Sequence, residues 1–269
     1  MKRWMLAVAI ATTLTACATT TSSTGRKQYI GGVSQQQLDQ LGAQAFAEAK
    51  SKGPISNDAK QNGYVRCVVN ALVRQLPAEQ QRVAWETAVF AEKDPNAFAL
   101  PGGKVGVNAG IFSVAKNQDQ LAAVLAHEIG HVVEHHHDER ITRQQGTSTL
   151  LGIGSAILGS AYGQGAANAT SQIGGFAAQG LILLPNTRVQ ESEADVVGQR
   201  LMARAGFDPR QAVNLWENMI AASGGSRPPQ WLSTHPDPTN RIRELQRDIP
   251  ALLPVYESAR KAGNSPRCS

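Results

Sequence analysis

The sequence predicts an α+β fold that is mainly α-helical, with a small β-sheet placed before a histidine-rich helix. Apolar residues recur every three or four positions over most of the chain, whereas strand-like patterns are confined to residues 83–112. The 269 residues, 42% of them hydrophobic, suffice for one well-cored domain and argue against global disorder. We therefore expect one domain over residues 34–253, with a leader before it and a short C-terminal tail over residues 254–269.

Residues 1–17, MKRWMLAVAIATTLTAC, have the features of a secretory signal: two basic residues, an apolar run and small residues ending at Cys17. The last four residues resemble the lipobox of bacterial lipoproteins, which implies that Cys17 is lipidated and becomes the first mature residue. By the same resemblance, Ala18 favours the outer membrane, because an aspartate there would favour retention at the inner membrane. The alternative is an ordinary signal peptide with a chance cysteine. We expect a periplasmic, lipid-anchored protein.

The segment after the signal, residues 18–33, is rich in Thr, Ser and Gly, so we expect a flexible tether. With Cys17 used by lipid, Cys67 and Cys268 remain. In the oxidising periplasm they form either a disulfide or two unpaired thiols, and the disulfide is the interpretation we carry forward.

The first predicted helix covers residues 34–51, where Ser34 and Gln37 have the spacing of a capping box. The second covers residues 56–76 and is stopped by Pro77.

Residues 83–91 predict a strand. The apolar stretch 96–112 is interrupted by Pro101-Gly102-Gly103, which predicts a hairpin or bent strand pair. The next helix begins near Asn117, which is a good N-cap residue.

Residues 146–184 form a Gly/Ala-rich insert without a charged residue. It is either a small-residue helical hairpin packed on the domain or a mobile segment that lies near the membrane or gates substrate access. After it, further helices are expected over residues 187–204, 209–222 and 239–249.

Residues 127–137, HEIGHVVEHHH, hold five of the six histidines. His127 and His131 are four apart and so share one helical face, where they can bind one metal ion. Glu128 lies beside them and can act as a general base toward water. This H-E-x-x-H pattern points to a zinc hydrolase, and the alternative is a helix with two surface histidines.

The metzincin spacing would place a third ligand at His137, but it needs a glycine at the position of Glu134 to turn the helix sharply. On a continuous helix, His137 lies about 15 Å along the axis from His127. We therefore expect His135 and His137 to face solvent or to lie at the helix C-terminus.

The best candidate for the third ligand lies in ESEAD, residues 191–195. Glu191 and Asp195 share one helical face, while Glu193 points away. A carboxylate commonly completes a two-histidine zinc site, and a second carboxylate can fix the tautomer of a ligating histidine. The alternative is an exposed acidic helix face with Glu191 paired to Arg188.

H-E-x-G-H followed about 60 residues later by E-x-E-A-D resembles the M48 metallopeptidases, as do NAFALPGGKVGVNAGIF before the motif helix and STHP with Arg241 after it. The resemblance covers about residues 90–250 and implies a zincin-like metallopeptidase domain that binds one Zn²⁺. It implies that His127, His131 and Glu191 are the zinc ligands, that Glu128 is the general base, and that Asp195 supports a ligand from behind. His136 falls on a position that is often histidine in this family, and we assign it no ligand role.

The resemblance also implies that His235 lies near the metal, where it either stabilises the oxyanion or caps the metal as a fourth ligand. Arg241 is expected to anchor the His235 loop or the acidic helix. The segment beginning Asn96, Ala97, Phe98, Ala99 is expected to provide an edge strand to which an extended peptide substrate adds.

We therefore expect a zinc metalloendopeptidase that degrades misfolded or unfolded envelope proteins, with the β-barrel assembly machinery as a candidate partner. The alternative is an outer-membrane chaperone or assembly factor with a latent or structural zinc. The formal net charge of +5 comes without a run of basic residues, which argues against nucleic acid as a partner.

Overall fold

The computed structural model describes residues 18–145, 186–222, 235 and 238–269. Residues 1–17, with the proposed lipidation site Cys17, and the insert at 146–184 lie outside the described residues. The predicted fold class is confirmed: helices dominate, and the sheets are small.

Strands β1 (Ala18–Thr21) and β2 (Lys27–Ile30) form an antiparallel hairpin at the N-terminus. The prediction of a flexible tether over residues 18–33 was therefore wrong for most of that segment. Its threonines favour a strand as readily as a linker. Polar side chains of the hairpin also find buried partners on the domain, as Gln28 does when it donates to the backbone carbonyl of Glu134 at 2.5 Å.

Helix α1 (Gln35–Lys52) begins at the predicted capping box of Ser34 and Gln37. Helix α2 (Ala59–Val73) is capped by Asp58, and its Cys67 forms a disulfide with Cys268.

A short helix, α3 (Ala78–Gln81), leads into a three-stranded sheet of β3 (Glu86–Phe90), β4 (Ala97–Leu100) and β5 (Lys104–Asn108). Strand β5 is central, parallel to β3 and antiparallel to β4. The predicted β4–β5 hairpin turns at Gly102 and Gly103, whose φ angles of 74° and 71° suit glycine.

A 3₁₀ helix (Ala109–Ser113) precedes α4 (Gln118–Val133), which is capped by Asn117 as predicted. Helix α4 is the centre of the domain, because β4, α2 and the helices Arg188–Ala205 and Gln211–Ala222 all pack against it. The chain then turns at His135, which has a φ of 55°, and continues as α5 over residues 136–145.

Helices α6 (Arg188–Ala205), α7 (Gln211–Ala222) and α8 (Pro238–Lys261) complete the described fold. Helix α8 continues past the predicted boundary at residue 253, so much of the expected C-terminal tail is helical. Pro250 and Pro254 each remove one backbone hydrogen bond without ending the helix.

The main hydrophobic core gathers side chains from α2, the three-stranded sheet, α4, α6 and α7, and within it α4 and α6 pack at close range. A β-carbon added at Gly198 of α6 would lie 2.9 Å from the His127 backbone nitrogen, and one at Gly130 of α4 would lie 3.0 Å from the carbonyl oxygen of Ala194. These two glycines therefore set how closely the two helices approach. Over the described ranges, no helix has the length and apolar character needed to cross a membrane.

Candidate metal centre

His127 and His131 project from one face of α4 into the interior, and both side chains are buried. Their Nε2 atoms lie 3.1 Å apart. The Nδ1 atom of each ring forms a hydrogen bond on the far side from the other histidine. Nδ1 of His127 lies 3.0 Å from Oδ1 of Asp195, and Nδ1 of His131 lies 2.7 Å from Nδ1 of His136. With both Nδ1 atoms engaged, two Nε2 lone pairs face the same point, which is the arrangement of a shared cation.

Glu191, from the first turn of α6, faces the two histidines and is completely buried. Its Oε2 lies 3.4 Å from Nε2 of His127, and its Oε1 lies 3.4 Å from Nε2 of His131. Oε1 has no hydrogen-bond partner within the part of the chain that the structure describes. A buried carboxylate oxygen without a hydrogen bond is costly unless a cation binds it.

The spacing of these atoms fits a metal ion. Ligands at about 2.0–2.1 Å from a tetrahedral zinc lie about 3.3 Å from one another, and the observed separations are 3.1–3.4 Å. His127, His131, Glu191 and His235 each contribute one potential ligand atom, and all four atoms lie within 4.8 Å of one another. The residues present therefore fit a divalent metal.

Asp195 and Arg241 support the His127 side of the site. Arg241 donates from Nε to Oδ2 of Asp195 at 2.6 Å and from Nη1 to Oε2 of Glu191 at 2.6 Å. Its guanidinium carbon lies 4.2 Å from the ring centroid of Trp216. Arg241 thus anchors the acidic helix, one of the two roles expected from the sequence.

The electrostatics of the site favour a cation at His127. Burial and the Arg241 cation lower the pKa of His127, but the carboxylates of Asp195 and Glu191 outweigh them and raise it to about 9. The carboxyl of Glu191 is itself buried, which raises its pKa, yet His235, Arg241 and His131 hold that pKa well below its ordinary value. A charged carboxylate is the form that ligates a metal.

His235 lies in the centre rather than at its rim, with 4% of its surface exposed. Its Nδ1 lies 2.8 Å from Oε2 of Glu191 and 3.2 Å from Nε2 of His127. Its Nε2 lies 3.4 Å from Oε1 of Glu128, which is also buried. The His235 ring therefore lies between His127, His131 and Glu191, here called the donor cluster, and Glu128, the expected general base.

The residues expected to form the peptide-binding edge lie on β4 and just before it. Strand β4 is at one edge of the three-stranded sheet, as far as the described strands go, and it packs on α4. Ala97 and Ala99 are buried, and Phe98 packs against Phe90 and Phe46. The structure thus places Asn96 to Ala99 beside the helix that carries the H-E-x-x-H motif.

The expectation for the histidines after the motif was wrong in part. His137 is 5% exposed rather than solvent-facing, and its Nδ1 has no hydrogen-bond partner among the described residues. The physical reason is the left-handed conformation of His135, which ends α4 and turns His136 and His137 inward. As expected, neither His135 nor His137 belongs to the donor cluster.

Sequence reasoning missed a second group of residues behind His131. His136 is completely buried, and its Nε2 lies 2.9 Å from Oε2 of Glu193. Glu193 does point away from the donor cluster, but it is buried and not solvated. Burial raises its pKa, whereas hydrogen bonds from His136, Ser22, Thr24 and Arg26 lower it, to about 2. The second glutamate of ESEAD was the available signal for Glu193, and nothing in the sequence pointed to Arg26.

The chain is similar to known metallopeptidases. The sequence profile described as Peptidase family M48 matches residues 59–249, well over half of the chain. The mitochondrial metalloendopeptidase OMA1 of Schizosaccharomyces pombe is 40% identical over 167 residues, 62% of this chain and 47% of that protein. The β-barrel assembly-enhancing protease of Escherichia coli K12 is 31% identical over 221 residues, 80% of this chain and 44% of that protein. The chain spans about half the length of the curated relatives it matches.

Proposed function

The chain belongs to peptidase family M48, and from that premise we propose that it is a zinc-dependent endopeptidase acting on unfolded or misfolded proteins of the cell envelope. The observation that carries the proposal is the buried cluster of His127, His131 and Glu191, with Glu128 one residue along α4 from the first ligand. This combination supplies both a metal site and a base.

A divalent ion held by these three residues would supply Lewis acidity to the peptide carbonyl and to the attacking water. Glu128 accepts the proton of that water and passes it to the amine that leaves when the peptide bond breaks. Asp195 holds the ring of His127 through Nδ1 at 3.0 Å, which leaves Nε2 for the ion.

The position of His235 determines whether the metal centre is closed, with four protein ligands, or open, with one position left for water or substrate. With Nδ1 directed at the donor cluster, it can serve as a fourth ligand, which is the mark of a structural or latent site. This observation favours a second candidate function, a chaperone or assembly factor for outer-membrane proteins. If the ring swings away on substrate binding, it can instead donate to the developing oxyanion.

The substrate class is inferred from β4 and from one similar protein, and the location from residues 14–17. Backbone pairing along β4 suits extended, unfolded chains of many sequences. One similar protein is named a β-barrel assembly-enhancing protease, which supports β-barrel proteins as substrates and their assembly machinery as a partner. The lipobox-like LTAC at residues 14–17 supports a lipid anchor in the periplasm, with the outer membrane favoured.

The test compares the purified full chain with Glu128→Gln for cleavage of casein, an unfolded protein, with metal content measured for both. Glu79→Gln, a change at an exposed glutamate on α3, is the matched control. We expect about one zinc per chain in all three proteins and cleavage by the wild type and the control. Equal cleavage by Glu128→Gln would remove Glu128 from the mechanism.

His235→Ala separates the two candidate functions. If all proteins bind zinc and the wild type does not cut, cleavage by His235→Ala shows a latent protease. If His235→Ala also fails to cut, the assembly-factor reading is favoured. A wild-type protein without metal would contradict the proposed site itself.

A further inference from the structure

A chain of hydrogen bonds connects His131 to the N-terminal hairpin. Nδ1 of His131 lies 2.7 Å from Nδ1 of His136, and Nε2 of His136 lies 2.9 Å from Oε2 of Glu193. Glu193 accepts from Nε of Arg26 at 2.8 Å and also from the hydroxyl of Thr24. His131, His136 and Glu193 are all buried.

The direction of these hydrogen bonds follows from the role of His131. A histidine that ligates through Nε2 carries its proton on Nδ1 and donates from there. Nδ1 of His136 must then accept, so His136 carries its proton on Nε2 and donates to Glu193. The carboxylate of Glu193 therefore fixes the tautomer of His136 and, through it, the tautomer and orientation of His131.

Arg26 holds Glu193 in place by bridging two buried carboxylates. Its Nη2 lies 2.7 Å from Oε2 of Glu193, and its Nη1 and Nη2 donate to the two oxygens of Glu139 at 2.8 Å each. The Glu139 side chain is completely buried, while 18% of the Arg26 side chain is exposed. Without Arg26, the buried Glu193 loses its cation.

The rest of the hairpin is fixed to the same corner of the domain. Ser23 donates from its backbone nitrogen and its hydroxyl to the carboxylate of Glu134, at 3.0 and 2.5 Å. Gln28 donates to the Glu134 carbonyl at the end of α4. Glu134 directly precedes the turn at His135 from which His136 projects. The hairpin thus contacts Glu193 directly and also holds Glu134, two residues before His136.

We propose that Arg26 is a positioning residue of the metal centre, and that the N-terminal hairpin keeps His131 in its ligating orientation through Glu193 and His136. This inference rests on the proposed metal site. It gives the hairpin a role in metal retention that a linker between a membrane anchor and a domain would not have. Partners behind a ligating histidine typically contribute 10–100-fold to metal affinity.

The experiment measures how fast zinc leaves the full chain for a chromogenic chelator, at a temperature where circular dichroism shows every variant folded. We expect release from Arg26→Gln to be about 10–100-fold faster than from wild type. Lys27→Gln is the matched control, because it removes the same charge from the neighbouring, exposed position of β2. Its release rate should equal that of wild type.

A double-variant cycle separates positioning from general loosening. If Arg26 acts through His136, release from Arg26→Gln combined with His136→Gln is no faster than from the more affected single variant. Effects that multiply would overturn the inference, as would an unchanged rate for a folded Arg26→Gln. Should Arg26→Gln not fold, Thr24→Val removes one hydroxyl from Glu193 and should accelerate release more modestly, and an unchanged rate there would also overturn it.

The same measurement distinguishes the inference from the proposed function. Wild-type protein that holds zinc while its variants release it at the wild-type rate contradicts only the role of Arg26. Wild-type protein that holds no zinc contradicts both.

Discussion

The two histidines of the motif are supported in different ways. His127 rests directly on Asp195, which is bound by Arg241 of α8. His131 instead contacts a second histidine, His136. His136 contacts Glu193, and Glu193 in turn is bound by Arg26. One side of the centre is therefore supported by the late helices of the domain and the other by its first strands.

About one turn of helix α6 supplies side chains to both sides of the centre. Glu191 faces His127 and His131. Asp195 supports His127, and Glu193 supports His131 through His136. With about 100° between successive residues, Asp195 lies about 40° around the helix from Glu191 and Glu193 about 160° from it in the opposite sense, so the two carboxylates reach different histidines. Each carboxylate is then held by its own arginine, and the two sides can be perturbed separately.

The largest expected effect comes from breaking the His127 side with Arg241→Gln. Arg241 is 3% exposed and bridges two buried carboxylates. Removing one partner of such a buried pair costs about 3–5 kcal/mol of unfolding free energy. The measurement is urea unfolding of metal-stripped protein, so that lost metal binding does not contribute.

Arg210→Gln is the control for Arg241→Gln. Arg210 also pairs with an aspartate, but its side chain is 56% exposed, so its loss should cost about 0.5 kcal/mol or less. Arg26→Gln should cost less than Arg241→Gln, because the Arg26 side chain is 18% exposed and that of Arg241 only 3%, so water can partly replace the lost guanidinium at Arg26. An equal or larger cost for Arg26→Gln would reverse the ranking of the two sides.

An intermediate effect is expected from Gly198→Ala, which acts on both sides at once. The new β-carbon would lie 2.9 Å from the His127 backbone nitrogen and would push α6 from α4. Overpacking of this kind costs about 1–3 kcal/mol, and the displacement should also weaken zinc binding. Both are measured by thermal unfolding of the metal-free protein and by zinc competition.

Gly63→Ala is the matched control, because Gly63 lies in helix α2 with open space around its α-carbon. There the substitution should stabilise by about 0.5–1 kcal/mol. A neutral Gly198→Ala would show that the two helices are not in fact closely packed.

The smallest effect is expected from His135→Gly at the turn between α4 and α5. A non-glycine residue in the left-handed region is strained by about 1–2 kcal/mol, which the greater flexibility of unfolded glycine offsets in part. We expect a gain of at most about 1 kcal/mol in thermal unfolding, with zinc release unchanged. Faster zinc release would mean that the His135 side chain itself supports the relay.

The sequence was sufficient for the His127 side. Helix periodicity and the four-residue spacing placed His127, His131, Glu191 and Asp195 on facing helix surfaces, and the family resemblance supplied His235 and Arg241. Caps such as Ser34 and Asn117 located helix starts because their chemistry is local.

The His131 side could not be predicted, because it depends on one left-handed residue and on a hairpin more than 100 residues away in sequence. A polar segment such as residues 18–33 has the composition of a linker, and only its buried partners, Glu134, Glu139 and Glu193, make it part of the domain. Helix α8 passes through Pro250 and Pro254, where local rules predict an end. In each case tertiary contacts overrode a local preference.

The proposed ligand set of His127, His131 and Glu191 is tested by anomalous X-ray diffraction at the zinc absorption edge from crystals of the zinc-loaded full chain. We expect one peak, about 2 Å from Nε2 of His127, Nε2 of His131 and a carboxylate oxygen of Glu191. A peak at another position, or zinc-loaded crystals without a peak between these three residues, would contradict it.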